Sequence, residues 1–227
     1  IAFTDTFPVG MTVANAPSPA QCNGIVENTS DSITFSGGSI APSDHCTVSV
    51  NVTATTIKPY ANTSGAVSST NGFTGNTASA TLTVTAIKAA TISKSFSPST
   101  TLVDTATTLT FNLYNPNSAT SLSGIAFSDT YPTWMVNKSP LVTTNNCGGT
   151  VSSIAGDKIA LSGGSLDAGH SCTVTVSVTA STAGTYSNTS GTITSTNGPP
   201  GGTATASVLV ITAPCNSSTV LHTAITY

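Results

Sequence analysis

A stretch of alternating apolar and polar residues occurs twice in the chain and constrains the fold more than any other feature. The later copy, Cys172–Ala180, places a cysteine and three valines on every second position, and Cys46–Ala54 repeats it. Each copy leads into a Tyr-x-Asn-Thr-Ser-Gly motif, at Tyr186 and Tyr60. Because successive side chains of a strand point to opposite faces, the pattern predicts strands with one buried face. The sequence therefore predicts an all-β protein with a duplicated unit.

Strand signals recur along the whole second copy of the unit, and no segment has helical periodicity. Thr and Val dominate, while Gly, Pro, Asn and Ser interrupt the pattern roughly every 8–12 residues. The predicted strands of this unit are about 91–96, 107–114, 122–128, 133–136, 150–154, 158–162, 172–180, 186–194 and 203–212. So many short strands favour an immunoglobulin-like β-sandwich. We therefore expect tandem immunoglobulin-like domains.

The two copies differ at their N-terminal ends. Ile1–Pro8 matches Ile125–Pro132, so the first copy has no counterpart of the strands predicted at Thr91–Phe96 and Thr107–Tyr114. The predicted domains are 1–87, an immunoglobulin-like repeat without its N-terminal strands; 88–213, a complete repeat; and 214–227, a tail or donated strand.

Missing strands would expose unpaired backbone and an open apolar face. Two interpretations remain open. The chain is a window on a longer repeat protein, or another chain supplies the strands by β-augmentation. The strand-like segment Ser218–Tyr227 is either such a donated strand or a frayed tail or the start of a next unit.

The composition argues against several classes of partner. Charged residues make up 6% of the chain, the net charge is −3, and all five basic residues are lysines. That charged fraction is about a quarter of the usual one. A surface with so few positive charges does not favour binding to nucleic acid. No apolar run is long enough to span a membrane. We expect no cofactor and no metal site, because ligand sets with suitable spacing are missing.

Cysteine positions predict two structural disulfides, one in each copy of the unit. Cys22 and Cys46 are separated by nearly the same distance along the chain as Cys147 and Cys172. Pairing within each copy is the simplest connectivity, and it indicates an oxidising compartment. Cys215 is left over; it is either a free thiol in a tail or a link to another chain.

Three polar side chains fall on the apolar parity of their predicted strands: Lys94, Asp129 and Asn188. A lone buried charge is prohibitive unless it is paired, neutralised or removed. The trio is similar to that of the self-crosslinking domains of bacterial pili and adhesins, where a lysine and an asparagine form an isopeptide bond beside an aspartate. The alternative is a partly exposed Lys–Asp ion pair. Asp5 and Asn62 form a partial second set without a lysine.

The remaining candidates for chemistry carry weaker signals. His45, His170 and His222 lack the spacing of metal ligands and are expected on the surface or in loops. The single tryptophan, Trp134, is expected to pack at an end of the sandwich rather than to serve as a sugar platform.

Several motifs of the second unit resemble the conserved-repeat domains grouped with the DUF11-type modules of large secreted bacterial proteins and adhesins. They are Ile92–Pro98, Asn115–Asn117, Ala126–Pro132, Leu161–Ser165, Ser171–Val176 and Tyr186–Gly191. The resemblance implies tandem immunoglobulin-like domains on a bacterial exterior, acting as stalk, adhesin or envelope polymer.

Together these features predict a structural extracellular protein of a bacterial surface rather than an enzyme. It would be a repeat unit of a filament, sheath or adhesin stalk. Its partners would be copies of itself or adjacent repeats, which complete the first domain. The alternative is a carbohydrate- or protein-binding module of a secreted protein, with a host-surface or glycan ligand that the sequence does not identify.

Overall fold

The structure, a computed structural model, describes residues 1–214, and every regular element in that range is a β-strand. The chain divides into two compact units: unit 1 is Ile1–Ala86, and unit 2 begins at Ile87. Cys215 and the strand predicted at Ser218–Tyr227 lie outside the described residues. Within the described part, no helix is long and apolar enough to cross a membrane.

Unit 1 contains eight short strands. They are β1 (Phe3–Thr6), β2 (Met11–Val13), β3 (Ala20–Gln21), β4 (Gly24–Asn28), β5 (Ser32–Ser36), β6 (Val52–Ala54), β7 (Pro59–Thr63) and β8 (Ser79–Thr83). They form a four-stranded sheet in the order β1-β5-β4-β3 and two separate pairs, β2-β6 and β7-β8.

Unit 2 contains eleven strands in its described part. They are β9 (Thr91–Ser97), β10 (Thr100–Leu102), β11 (Thr107–Tyr114), β12 (Leu122–Thr130), β13 (Met135–Asn137), β14 (Thr143–Asn145), β15 (Thr150–Ile154), β16 (Lys158–Leu166), β17 (Ser171–Ala180), β18 (Gly184–Thr189) and β19 (Thr205–Ile211). One sheet has the order β13-β17-β11-β9, with β14 also on β17. The other strands form β12-β16-β15 and β10-β19-β18, and an isolated bridge joins Ala126 of β12 to Thr194, which follows β18 along the chain.

The repeated alternation builds the core of unit 2, as the sequence predicted. Val174, Val176 and Val178 on β17 are completely buried. The rings of Phe111 on β11 and Phe127 on β12 lie 4.7 Å apart, so the two layers meet face to face. This is the packing of an all-β, immunoglobulin-like sandwich.

Both units keep the same register where both have strands. On β7 and β8, Asn62 lies opposite Ala80, and on β18 and β19, Asn188 lies opposite Ala206. The duplication seen in the sequence is therefore a duplication of strand pairing as well.

In each unit a tyrosine side chain is hydrogen-bonded to the backbone of the loop that precedes its strand. The hydroxyl of Tyr186 donates to the carbonyl of Thr182 at 2.7 Å, and that of Tyr60 donates to Thr56 at 3.2 Å. A tyrosine bonded back to the backbone a few residues upstream is a feature of immunoglobulin-like sandwiches.

The two disulfides join the predicted partners. Cys22 is bonded to Cys46 and Cys147 to Cys172, with Cα–Cα distances of 5.6 and 5.0 Å. Cys147 and Cys172 are buried in unit 2, whereas Cys46 is exposed. The oxidising compartment inferred from the cysteines is consistent with these bonds.

Three details of unit 2 differ from the predicted strands. The strand predicted at 186–194 begins at Gly184 and ends at Thr189, because the chain then crosses to β12, where Gly191 donates to Ser128 at 2.7 Å. β10 and β14 were not predicted, since three residues carry too little alternation to be recognised. β10 lies parallel to β19.

Asn115, which the sequence analysis noted only as part of a family motif, is the centre of a buried polar knot. Its amide donates to the carbonyls of Thr120, Leu166 and Asp167 at 2.8, 3.0 and 3.2 Å. Its Oδ1 accepts from the amide of Asn117 at 2.7 Å. The knot therefore satisfies polar groups where several chain segments converge.

Replacing Asn115 by Ala is expected to lower the free energy of unfolding of unit 2 by about 2–3 kcal/mol, because buried carbonyls lose their donors. Urea titration followed by circular dichroism measures this change. The matched control is Asn112→Ala on exposed β11 surface, which should stay within about 0.5 kcal/mol of the parent. Equal effects of both substitutions would contradict the role of the knot.

Candidate functional site

Three strands of unit 2 bring Lys94, Asp129 and Asn188 together inside the core. Lys94 lies on β9 in one layer, and Asp129 and Asn188 lie on β12 and β18 in the other. Each side chain has the inward parity predicted from the sequence. The faces were predictable because β-strand parity is strict.

Asp129 contacts both of its partners through separate oxygens. Nζ of Lys94 donates to Oδ1 at 2.8 Å, and Nδ2 of Asn188 donates to Oδ2 at 2.7 Å. Oδ1 of Asn188 is buried and has no hydrogen-bond partner among the described residues. One carboxyl group thus lies between an amine and a carboxamide.

The lysine and aspartate side chains are completely removed from solvent, with relative exposures of 0% and 0%. The Lys–Asp ion pair considered as the alternative is present, but its expected partial exposure is wrong, since both side chains are fully buried. The ammonium also lies 5.2 Å from the ring centre of Phe111, which is itself buried. The protein around the site therefore leaves no solvent access to either side chain.

Burial changes the acid–base properties of both groups. It lowers the pKa of Lys94, and the contact with Asp129 only partly opposes that shift. Burial raises the pKa of Asp129, against the opposing effect of Lys94 and the hydrogen bond from Asn188. Both shifts favour the neutral forms, a free amine and a protonated carboxyl.

Tyr131 is a neighbour that sequence reasoning missed. Burial raises the pKa of its hydroxyl, and the charge of Asp129 adds to the effect. The hydroxyl donates to Oδ1 of Asn137 at 2.8 Å. Its parity with Asp129 on the continuing chain could have indicated that it lies on the same side.

Unit 1 holds the partial set in the corresponding place. Nδ2 of Asn62 donates to both oxygens of Asp5, at 3.0 and 2.8 Å. No lysine of the described residues contacts this pair. Oδ1 of Asn62 is buried without a partner in the same part of the chain.

The histidines and the tryptophan of the described residues are exposed. His45 and His170 are exposed, as expected, and His222 lies outside the described residues. Among residues 1–214, no group of His, Cys, Asp and Glu could hold a metal ion. Trp134, however, is 63% exposed, so the expectation that it packs at the sandwich end is wrong.

A domain-family model described as "Domain of unknown function (DUF7933)" matches residues 1–84 and 90–210. The chain belongs to this family. DUF7933 therefore covers both units, and the finer resemblance to DUF11-type modules stays a prediction. No curated protein matches the chain.

Solved structures similar to this DUF7933 chain are distant in sequence. A cohesin module from Clostridium perfringens ATCC13124 family 33 glycoside hydrolase is 13% identical, with a TM-score of 0.43, covering 57% of this chain and 100% of its own. BcpA, the major pilin subunit of Bacillus cereus, is 13% identical, with a TM-score of 0.41, covering 68% and 55%. The Enterococcus faecalis MSCRAMM ACE is 12% identical, with a TM-score of 0.37, covering 93% and 84%.

Proposed function

We propose that unit 2 is a load-bearing module of a bacterial extracellular structure, such as a filament, sheath or adhesin stalk, and that it crosslinks itself. The crosslink is an isopeptide bond between Nζ of Lys94 and Cγ of Asn188. The observation that carries the proposal is the buried Lys94–Asp129–Asn188 cluster, in which one carboxyl group touches both reacting side chains. The disulfides and the low surface charge fit the same setting.

The chemistry balances without any cofactor. The neutral amine of Lys94 attacks Cγ of Asn188, a new C–N bond forms, and the bond from Cγ to Nδ2 breaks. Nδ2 leaves as ammonia with a proton that came from the amine. The overall change is amine plus carboxamide to substituted amide plus ammonia, with no oxidation or reduction.

Asp129 supports this reaction as a proton carrier. In its protonated form it can donate to the carboxamide oxygen once the amide of Asn188 turns by half a rotation, which polarises Cγ. That oxygen has no other partner in the described chain. The product is neutral, so the cost of keeping a charged ammonium in the core disappears.

The position of the bond would make unit 2 resistant to extension. β9 is the first strand of the unit, and the bond would join it to β18 in the opposite layer. A force applied at the two ends of the unit would then pass from Lys94 to Asn188 directly. Residues 95–187, which include the Cys147–Cys172 disulfide, would carry none of it.

The direct test is peptide mapping of the folded, reduced protein by tandem mass spectrometry. The proposal expects a branched peptide that joins the segment around Lys94 to the segment around Asn188. Asn188→Ala, which keeps the Lys94–Asp129 contact, should give two linear peptides instead. A parent protein that yields only linear peptides for both segments would refute the crosslink.

The yield of the bond is expected to depend on pH in a bell-shaped manner. The reactive form of the Lys94–Asp129 pair holds one proton, on the carboxyl group. Low pH protonates the amine as well, and high pH removes the proton from the carboxyl, so both extremes stop the reaction. Because burial lowers the pKa of Lys94, the acid limit of the reaction lies below the pKa of a free lysine. Because burial raises the pKa of Asp129, the alkaline limit lies above the pKa of a free aspartate.

The Asn188→Ala protein lacks the carboxamide that reacts, so it is carried through the same denaturation and refolding as the blank for this experiment. Unreacted parent is recovered as insoluble protein, dissolved in an unfolding solvent, refolded at a series of pH values, and quenched for intact-mass measurement. Equal yields at all pH values would contradict the proton roles of the pair.

The exposed tryptophan supports a second candidate function, recognition of a carbohydrate. Trp134 lies in a cleft of about 500 Å³ together with Tyr131, Asp104 and Asp157. An aromatic face beside carboxylates suits a sugar, which offers apolar C–H groups and hydroxyl donors. Since Trp134 is the single tryptophan, its fluorescence reports binding directly. Titration with oligosaccharides should quench or shift the emission if this function is correct, and no change across a glycan panel would dismiss it.

Backbone conformation separates a binding role of Trp134 from a packing role. Its φ is +75°, a region unfavourable for a bulky residue, and unit 1 has Gly10 at the matching position with φ +92°. Trp134→Gly is therefore expected to leave stability unchanged or to raise it by about 0.5–1 kcal/mol. A packed tryptophan would instead cost about 3–5 kcal/mol when truncated. Thermal denaturation measures the difference, and Trp134→Ala, which keeps the strained φ, is the control.

A further inference from the structure

The cleft beside Trp134 is formed by three turns of unit 2 that backbone hydrogen bonds hold in place. The amide of Ser181 donates to the carbonyl of Trp134 at 3.1 Å. The amide of Asp104 donates to the carbonyl of Ala180 at 2.9 Å, and the carbonyl of Asp157 accepts from the residue after β12 at 2.8 Å. The volume of the cleft, about 500 Å³, lies within the range of about 300–1,000 Å³ that is typical of small-molecule sites. The cleft is therefore preformed and large enough for a ligand.

The fold itself does not require a tryptophan at position 134. The corresponding turn of unit 1 carries Gly10, with φ +92° against +75° for Trp134. The turns are bonded alike in both units, since the amide of Phe7 donates to the carbonyl of Asp31 at 2.8 Å, as the residue after β12 does to Asp157. A bulky residue at positive φ is unfavourable, and an indole that is 63% exposed gains little from burial. A ligand therefore explains this side chain better than packing does.

Two carboxyl groups decide which kind of ligand suits the cleft. Asp104 and Asp157 line it from separate turns, and both are exposed. Neither carboxylate forms an ion pair with another residue of the described chain. Among residues 1–214, those that line the cleft include no lysine and no histidine. The potential inside is therefore negative, which attracts a cation and repels a phosphate or a carboxylate.

We propose that the cleft binds an amino sugar whose nitrogen is a free ammonium group, as in a glycan built from glucosamine. The ammonium lies over the indole face of Trp134, where the ring attracts a cation. The carboxylates of Asp104 and Asp157 accept its N–H groups in charge-assisted hydrogen bonds. This inference rests on the second candidate function, carbohydrate recognition, and names the class of sugar.

The remaining lining favours a sugar over the other common source of an ammonium, a lysine side chain. Thr133, Thr179 and Ser181 bring hydroxyl groups to the same cleft. Hydroxyl groups can both donate to and accept from the hydroxyls of a pyranose ring. A lysine side chain offers only methylene groups next to its ammonium, so it would leave these hydroxyls unused.

Binding of two matched tetrasaccharides to the full chain tests the proposal. One is a fluorescently labelled tetramer of β-1,4-linked glucosamine, and the other is its fully N-acetylated counterpart. Fluorescence anisotropy is measured in a buffer that keeps the sugar amines protonated. Acetylation removes the charge and leaves the rings in place, so we expect it to weaken binding at least about tenfold.

Four variants connect this binding to the cleft. Asp104→Asn and Asp157→Asn should each weaken binding of the glucosamine tetramer about threefold. Asp167→Asn removes the same charge at the opposite end of β16, outside the cleft, and should bind like the parent. Trp134→Gly takes the residue that the fold accepts in unit 1 and should abolish saturable binding. Thermal denaturation verifies that each variant is folded.

The outcomes distinguish this inference from the proposed functions. Equal binding of the two tetramers overturns it and leaves carbohydrate recognition standing. Absence of binding by either tetramer overturns it too, and a wider glycan panel then decides whether the cleft recognises any sugar. Tetralysine that competes as well as the glucosamine tetramer, or an Asp167→Asn effect equal to that of Asp104→Asn, would show attraction of charge without recognition of a sugar and overturn it as well. None of these results touches the self-crosslink of unit 2, which is measured by mass.

Discussion

Replacing Lys94 by Met is expected to give a protein of full calculated mass whose unit 2 loses at least about 4 kcal/mol in its free energy of unfolding. Two effects add. The crosslink that closes the loop from residue 94 to residue 188 disappears, and closing a loop of that length is worth roughly 4–5 kcal/mol in the chain-entropy model. The carboxyl group of Asp129 also stays buried without its partner, which costs about 3–5 kcal/mol where it remains ionised.

A double variant separates these two contributions. In Lys94→Met/Asp129→Leu no charge remains in the core, so the stability lost to the unpaired carboxyl should return, while the crosslink stays absent. Asn188→Ala should lose the crosslink while Lys94 and Asp129 still face each other in the core. Differential scanning calorimetry of the three variants measures each step. A Lys94→Met protein that unfolds at the same temperature as the parent would contradict both effects.

Removing the disulfide of unit 2 is expected to have the second largest effect. Cys147 and Cys172 are separated by 25 residues, and the bond is buried. The double substitution Cys147→Ala/Cys172→Ala should lower the free energy of unfolding by about 3 kcal/mol. It is measured by chemical denaturation under non-reducing conditions.

Mild reduction of the parent protein supplies the matched control. Cys46 is exposed, so the Cys22–Cys46 bond should open before the Cys147–Cys172 bond as the thiol concentration rises. Alkylation and mass mapping identify which bond has opened. Simultaneous opening of both would show that burial does not protect the bond of unit 2.

Much of the site was predictable because parity along a strand needs no tertiary information. The alternation in Cys172–Ala180 gave the buried face, and the same rule put Lys94, Asp129 and Asn188 inside. Parity does not say how strands from opposite layers face one another. The 2.8 Å contact between Lys94 and Asp129 therefore had to come from the structure.

The features that the sequence did not predict correctly also have physical causes. Trp134 was expected to pack because tryptophan is usually buried, but its backbone occupies a turn conformation that glycine holds in the other unit. Asn115 was noted only as part of a family motif and not as the centre of a buried knot, since its partners Leu166 and Asp167 lie far along the chain. β10 was too short for any alternation to show.

Intact-mass measurement of the folded, reduced protein tests the central claim most directly. The account predicts a mass lower than the one calculated from the sequence by one ammonia, because unit 2 alone combines lysine, aspartate and asparagine in its core. The deficit should vanish in Lys94→Met and in Asn188→Ala. A parent protein at its full calculated mass would contradict the account.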